Sequence, residues 1–272
     1  MRAALSLFFL SVLPSMAIAE PIQQPKFAAN DAWSYQAVFQ NGDKTKDARI
    51  SLSIMRVGTD GMVVTQKSAD APDRAQSTMF GLDWSKRRSV NGTETTVNRP
   101  LSFPLDVGKT WRVEVNEVNP NPQKLRETDI LPFKVVGWEN VTVPAGTFHA
   151  LKIEANGHWT AELTPHVINN ALVARQGAVA AQSTENRVIQ SVRVSGRYYK
   201  CFWYVPEVKR WVKSIEEDYS GGDTLHQSTV LELESYTIGG EKKLDGAPSP
   251  SPATPPKAAP TSEPASPSKD PV

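Results

Sequence analysis

The sequence predicts a mostly all-β protein, a curved antiparallel sheet or half barrel with one helical insertion and a disordered C-terminal tail. Two turn-centred motifs carry this prediction: VTVPAGTFHALKIE at 141–154 and WYVPEVKRWVK at 203–213. Pro144 presets the first corner of a turn, and Gly146 tolerates the left-handed backbone conformation that closes a hairpin. Pro206 lies in the same way between two arms rich in aromatic and β-branched residues.

Strand-like runs fill most of the chain between Asp31 and Thr237. Three dipeptides that favour hairpin turns separate such runs, because both of their residues tolerate positive φ; they are Asn41-Gly42, Asp60-Gly61 and Asn91-Gly92. Successive hairpins predict a meandering sheet that curls over one apolar face. The runs are 33–40, 48–57, 62–67, 78–84, 109–117, 130–143 and 147–154.

One stretch, about 164–182, departs from the strand pattern. Thr164 can cap a helix with Pro165 at its first position, and apolar residues then recur at a spacing of three to four. The sequence therefore predicts a helix that crosses the concave face of the sheet as a connection or lid. Its apolar side would present Val167, Ile168, Ala171 and Leu172.

The N-terminal residues, 1–19, have the form of a cleavable signal peptide. A positive start precedes an apolar run that is short for a membrane span, and Ala17-Ile-Ala19 is a small-residue cleavage site. We expect cleavage after Ala19 and a periplasmic or secreted protein that is not an integral membrane protein afterwards. An uncleaved membrane anchor is the alternative.

The C-terminal residues, 240–272, form a proline-rich tail. From Glu241 onward the chain has nine prolines and no large apolar residue between Leu244 and Val272. Such a segment buries too little surface to offset its ordering entropy, so we expect disorder. The remaining residues, 20–239, are expected to form a single β-rich domain with one hydrophobic core.

Composition restricts the chemistry. Lys and Arg number 30 against 29 for Asp and Glu, so no strong positive field favours nucleic acid as a partner. Cys201 is the single cysteine and has no intramolecular partner; in an aromatic strand it is expected to be a buried, inert thiol.

The two turn motifs resemble a broad set of exported bacterial β-rich proteins of unknown function, together with LSFPLDVGKTW at 101–111 and ELESY at 232–236. That set is similar to the half-barrel lipoprotein carriers of the LolA/LolB type. The resemblance covers roughly 30–238 and implies a fold rather than an activity. It implies no catalytic residue.

No motif for catalysis is present. The chain has no Gly-x-Ser-x-Gly elbow, no phosphate-binding glycine loop and no histidines at zinc-site spacing, so we expect a non-enzymatic protein without metal or cofactor. The acidic run 216–218 has carboxyls that in principle suit glycoside hydrolysis. Neighbouring strand residues face opposite sides, however, so a charged sheet edge is the preferred interpretation.

Seven tryptophans are spread over the strands, and some of them could line a cleft for an acyl chain or sugar ring. Core packing is the alternative for each one taken singly. The candidate ligand-binding residues are Trp33, Trp84, Trp111, Trp203, Val167, Ile168 and Leu172.

The resemblance to lipoprotein carriers suggests a protein that holds an apolar or amphipathic envelope ligand, a lipid or lipoprotein acyl chain, in the concave face. The alternative is an envelope scaffold or interaction module with a dry core that binds a protein or glycan. An exported hydrolase is the third hypothesis. A concave face filled by side chains would favour the scaffold, and a cavity would favour the carrier.

Overall fold

The structure, a computed structural model, describes residues 20–176, 179–189 and 191–243. Strands fill most of this part of the chain, and a single 3₁₀ turn is its only helical element. The elements are β1 (Ala32–Asn41), β2 (Lys44–Val57), β3 (Met62–Ser68), β4 (Ala71–Phe80), β5 (Lys86–Val90), β6 (Thr93–Asn98), β7 (Thr110–Asn121), β8 (Lys124–Val143), β9 (Gly146–Leu163), β10 (His166–Gln176), β11 (Val179–Ile189), β12 (Arg193–Val205), the 3₁₀ turn (Pro206–Val208), β13 (Arg210–Ser220), β14 (Thr224–Ile238) and β15 (Glu241–Lys243).

One antiparallel sheet contains all of these strands except β10 and β11. Its order is β6-β5-β4-β3-β2-β1-β14-β13-β12-β9-β8-β7, and β15 pairs with β14. The first and last long strands are therefore neighbours in the middle of the sheet. The predicted all-β class and curved antiparallel sheet are confirmed.

The sheet curls until its two ends almost meet. The Asn91 side chain donates to the carbonyl of Asn116 on β7 at 2.8 Å and accepts from the Val118 N–H at 2.9 Å. The Arg88 guanidinium binds the Glu117 carboxylate on the same strand at 2.6 Å. Side chains on the β5–β6 hairpin thus join it to β7, and the result is a nearly closed barrel.

Predicted turns form where the chain was expected to reverse. Asn91 and Gly92 both have positive φ, 51° and 82°, between the paired residues Val90 and Thr93. Gly146 has φ +123° and pairs with Val143. These conformations explain the Asn-Gly dipeptide and the glycine of the VPAGTF motif.

The predicted helix at 164–182 is wrong. Residues 166–176 and 179–189 are instead the strands β10 and β11, which pair with each other as a separate antiparallel hairpin. The Thr164 hydroxyl, which was expected to cap a helix, donates to the Pro122 carbonyl at 3.0 Å. β-Branched residues in the segment also fit a pleated strand better than a helix.

The structure describes the start of the predicted C-terminal tail but not the predicted signal peptide. The predicted signal peptide, 1–19, lies outside the described residues, as does 244–272 of the predicted tail. Within the predicted tail, β15 pairs with Tyr236, Thr237 and Ile238 of β14, so strand structure reaches Lys243. The expectation of disorder from residue 240 is therefore wrong for the first residues of that segment.

The hydrophobic core occupies one half of the concave face. Alternate residues of neighbouring strands face it, as when Ile153 of β9 lies opposite Phe202 of β12 and Val135 of β8. Trp33, Tyr35 and these three residues have exposed fractions of 0 or 1%. Cys201 is also buried, as expected, and burial raises the pKa of its thiol to about 12.

Candidate functional site

The other half of the concave face is polar. On β12, β13 and β14 the register sets Lys200 opposite Glu216 and Tyr198 opposite Asp218, with Gln227 next to Asp218. Because side chains alternate along a strand, these residues share the face that Phe202 occupies further along β12. We call this region the polar basin; it is an open pocket of about 260 Å³ lined by Tyr198, Lys200, Glu216, Glu217, Asp218, Gln227 and Thr229.

Trp159 lies beside the basin and is positioned by a glycine. Its indole N–H donates to the Asp218 carboxylate at 3.1 Å and to the Tyr219 carbonyl at 3.2 Å. Gly196 is its register partner, and a Cβ atom there would lie 2.6 Å from the Trp159 ring and 2.0 Å from the Tyr219 carbonyl oxygen. Only glycine leaves the ring room to lie across β12. The Lys124 ammonium lies 5.3 Å from the ring centre.

Two carboxyls at the basin are held in a partly desolvated setting. The Tyr198 hydroxyl donates to Asp129 at 3.1 Å. Burial, reinforced by the negative charge of Glu127, raises the pKa of Asp129, and burial likewise raises the pKa of Asp218. The pKa of the Tyr198 phenol is raised as well, by burial and then by these two carboxylates. The phenol therefore stays a hydrogen-bond donor at physiological pH.

Other polar groups of the basin differ in whether they have partners. Lys200 and Glu216 form an ion pair at 2.7 Å. Gln227 and Thr229 make no side-chain hydrogen bond to any residue in the described part of the chain. An amide and a hydroxyl are thus left available to a ligand, next to groups that a network already orients.

A second polar group lies in the apolar half, enclosed by aromatic rings. The Arg210 guanidinium carbon is 3.8 Å from the ring centre of Trp84 and 3.9 Å from that of Trp211, with Trp33 and Tyr35 within 6.0 Å. Burial lowers the pKa of Arg210. The side chain is 6% exposed, so its environment is a core and not a binding site.

The tryptophans proposed from the sequence do not gather at one cleft. Trp33 and Trp84 contact each other in the core, with ring centres 5.2 Å apart, and donate to the carbonyls of Val208 and Lys209. Trp111 is half-buried and stacks on Phe133. Trp203 follows Phe202 and so faces the outer side, where its N–H binds Glu139.

The remaining candidates lie on a strand. Val167, Ile168 and Leu172 belong to β10, so they do not form one side of a helix over the concave face. A ligand-binding role for these three residues and for the four tryptophans stays a prediction.

Sequence reasoning missed Trp159, Tyr198 and the two aspartates. It also placed 216–218 at a sheet edge, which is wrong because β13 pairs with β12 on one side and β14 on the other. A signal was available: Lys200 with Tyr198, Glu216 with Asp218, and Gln227 with Thr229 each repeat at a spacing of two. Polar residues at that spacing on interior strands indicate a polar patch on one face.

Comparisons with known proteins leave the family open. No protein-family model matches the chain, and no curated protein matches it. In the described part of the chain, no helix is long and apolar enough to cross a membrane.

Two solved structures are similar at a low level. One, from Bacteroides fragilis, is described as a candidate exported protein with a YmcC-like fold; it is 14% identical, covers 80% of this chain and 99% of its own, and has a TM-score of 0.38. The other, a candidate lipoprotein from Parabacteroides distasonis, is 16% identical over 79% of this chain and 100% of its own, with a TM-score of 0.35. Likeness at this level assigns neither fold nor function, and the similarity to LolA/LolB-type carriers stays a prediction.

Proposed function

We propose that this protein is a non-enzymatic binding protein of the cell envelope that holds a hydroxyl-rich ligand, an envelope glycan, in the polar basin. The observation that carries the proposal is the combination of free and prearranged polar groups there. Gln227 and Thr229 are open to a ligand, while Asp129 and Asp218 are fixed by Tyr198 and Trp159. Aromatic rings beside carboxylates and amides suit sugars, which have apolar ring faces and many hydroxyls.

The close packing of the apolar half of the concave face favours a glycan ligand in the polar basin over an acyl chain in the core. Trp33, Tyr35, Phe202 and Ile153 are at most 1% exposed, so these side chains pack almost entirely against other protein atoms. Protein interiors of this kind are close-packed and admit no added chain without rearrangement. The lipid or lipoprotein acyl chain expected from the sequence remains a prediction. Native mass spectrometry distinguishes a bound lipid from a bound glycan.

The test is binding of the full chain to an array of bacterial surface oligosaccharides, followed by calorimetric titration of any glycan that binds. The double variant Gln227→Ala/Thr229→Val removes the two free polar groups and should weaken binding by about tenfold or more, since an unpaired sugar hydroxyl costs about 1 to 3 kcal/mol. Its melting temperature should match that of the wild type, because neither side chain has an intramolecular bond to lose.

Gln36→Ala is the matched control, since Gln36 is exposed on β1 and next to the inward-facing Ala37. It should bind as the wild type does. If no array glycan binds, or if the double variant binds every glycan unchanged, the basin is not the site. Native mass spectrometry of the protein purified from its own envelope tests the alternative ligand. A retained lipid would favour the lipid-carrier hypothesis and contradict a core without space for a ligand.

A further inference from the structure

A second feature lies on the outer face, where β4 and β5 separate. β4 pairs with β3, but its pairing with β5 is limited to Phe80 and Lys86. Beyond that point the β5–β6 hairpin turns towards β7, and residues 73–77 are all exposed. One edge of β4 therefore presents backbone N–H and C=O groups that no strand of the described chain covers, and such an edge is a template for another strand.

A pocket of about 400 Å³ lies at the end of this free edge. Its charged lining consists of Arg56, Arg87, Asp60 and Glu94, and its apolar lining includes Met79 and Phe80. Within the described residues, neither guanidinium makes an ion pair or a hydrogen bond. Two arginines without partners at a concave surface are available to bind a carboxylate, which pairs with a guanidinium through two parallel hydrogen bonds.

Two exposed methionines lie near this edge, Met79 on β4 itself and Met55 on β2, two strands away. Met79 is 64% exposed and Met55 is 61% exposed, the largest fractions among the described large hydrophobic residues. The sulfur of Met55 lies 3.7 Å from the Ser77 hydroxyl on β4. Methionine is flexible and polarisable, and it is common on surfaces that adapt to peptide partners.

We propose that the free edge of β4 and this pocket form a strand-addition site for an extended segment of a partner protein that carries one carboxylate beside an apolar side chain. Backbone hydrogen bonds along 76–79 would add the segment as a new strand, and alternate side chains would reach the pocket. The carboxylate would bind Arg56 and Arg87, while the apolar side chain would cover Met79. Because Asp60 and Glu94 also line the pocket, a second carboxylate there would be repelled.

A second copy of this chain fits the edge poorly. Between the pairs Gln66–Gln76 and Ser68–Ala71, one residue of β3 faces the irregular stretch 72–75 of β4. That stretch contains Pro72, which lacks an N–H, and the charged pair Asp73-Arg74. Bulges, proline and charge on an edge oppose pairing between identical edges.

The C-terminal tail of the chain also fits poorly, because its nine prolines cannot donate ladder hydrogen bonds. The partner is therefore a segment of a different protein. This inference is independent of the glycan proposal, since the pocket lies on the opposite face of the sheet from the polar basin.

The test is selection of a random decapeptide library displayed on phage against the full chain. Enriched peptides should share one Asp or Glu next to an apolar residue. Synthetic copies of these peptides should bind the double variant Arg56→Glu/Arg87→Glu at least about tenfold more weakly than they bind the wild type. Arg74→Glu, the same charge reversal at an exposed position of β4, is the control and should bind within about twofold of the wild type. Hydrogen exchange of the bound chain should slow at 76–80.

Three outcomes would overturn the proposal. The first is the absence of any enriched carboxylate-bearing peptide. The second is peptide binding that the neutral double variant Arg56→Gln/Arg87→Gln leaves unchanged. This neutral variant replaces the charge-reversed variant in the test if the latter fails to fold. The third is sedimentation showing dimers of the wild type that the same substitutions dissociate, because the edge would then belong to a second copy.

Discussion

The Nζ atom of Lys209 lies 2.9 Å from Oδ2 of Asp31, a fully buried carboxylate. The same oxygen accepts the Ala28 N–H at 3.0 Å, and Oδ1 accepts the Gly239 N–H at 3.0 Å. Lys209 follows the Pro206–Val208 turn with a left-handed φ of 58°. One carboxylate thus joins the start of β1, the end of β14 and the turn of the second sequence motif.

Removing that carboxylate should destabilise the fold. Asp31→Ala leaves two backbone N–H groups and an ammonium without their acceptor, so we expect the free energy of unfolding to fall by about 2 to 4 kcal/mol. Asp70→Ala is the control, because Asp70 makes an exposed ion pair with Lys46 and should change stability by less than about 0.5 kcal/mol. Urea denaturation measures both; equal effects would contradict the structural role of Asp31.

Arg210 should contribute mainly through packing and contact with aromatic rings. Arg210→Ala removes a side chain stacked between Trp84 and Trp211 and should cost about 2 to 4 kcal/mol. Arg210→Met restores most of the volume without a buried charge, so its cost should be smaller, about 1 kcal/mol or less. Chemical denaturation of both variants is the measurement. A larger loss for methionine than for alanine would show that the charge itself is required.

Gly146→Val tests the turn of the first motif. A Cβ atom there meets no heavy atom within 4 Å, so any cost comes from the backbone conformation at φ +123°. A β-branched residue strains that conformation, and we expect a loss of about 1 to 3 kcal/mol. Thr147→Val places the same side chain at the next, exposed position and removes an exposed hydrogen bond to the Thr142 hydroxyl, so its cost should be smaller, about 0.5 kcal/mol. A neutral result for Gly146→Val in thermal melts would refute the conformational assignment.

Asp129 should make stability depend on pH. Because burial raises its pKa above the ordinary 3.8, the folded state holds the proton more tightly than the unfolded state. The stabilisation of the folded state by this proton is complete at pH values below the ordinary pKa of 3.8, and it is lost as pH rises through the raised pKa of the folded state. Asp129→Asn cannot ionise and still accepts from Tyr198, so it should melt higher than the wild type at neutral pH, with a smaller difference at about pH 3.

Melting curves at several pH values check this prediction. Asp47→Asn, the same substitution at an exposed position of β2, is the control and should melt as the wild type does at neutral pH. A variant that melts below the wild type at neutral pH would mean that the charged carboxylate stabilises the fold.

Local residue chemistry was enough to predict the turns and most strands. Asn91-Gly92 and Gly146 have the positive φ values that their residue types permit, and such preferences depend on neighbours in the chain alone. The β10–β11 hairpin was not predictable in this way. A capping threonine and a helical spacing were present, but the Thr164 hydroxyl bonds to Pro122 on a distant turn.

The sequence by itself determined the all-β class, the antiparallel hairpins and the burial of Cys201, because alternation and turn chemistry act over a few residues. The tertiary structure alone decided which strands lie side by side. Register between strands far apart in the chain brought Trp159, Tyr198 and Asp218 to one basin and enclosed Arg210 in aromatic rings. Those contacts depend on pairing and curvature of the whole sheet, which no local pattern encodes.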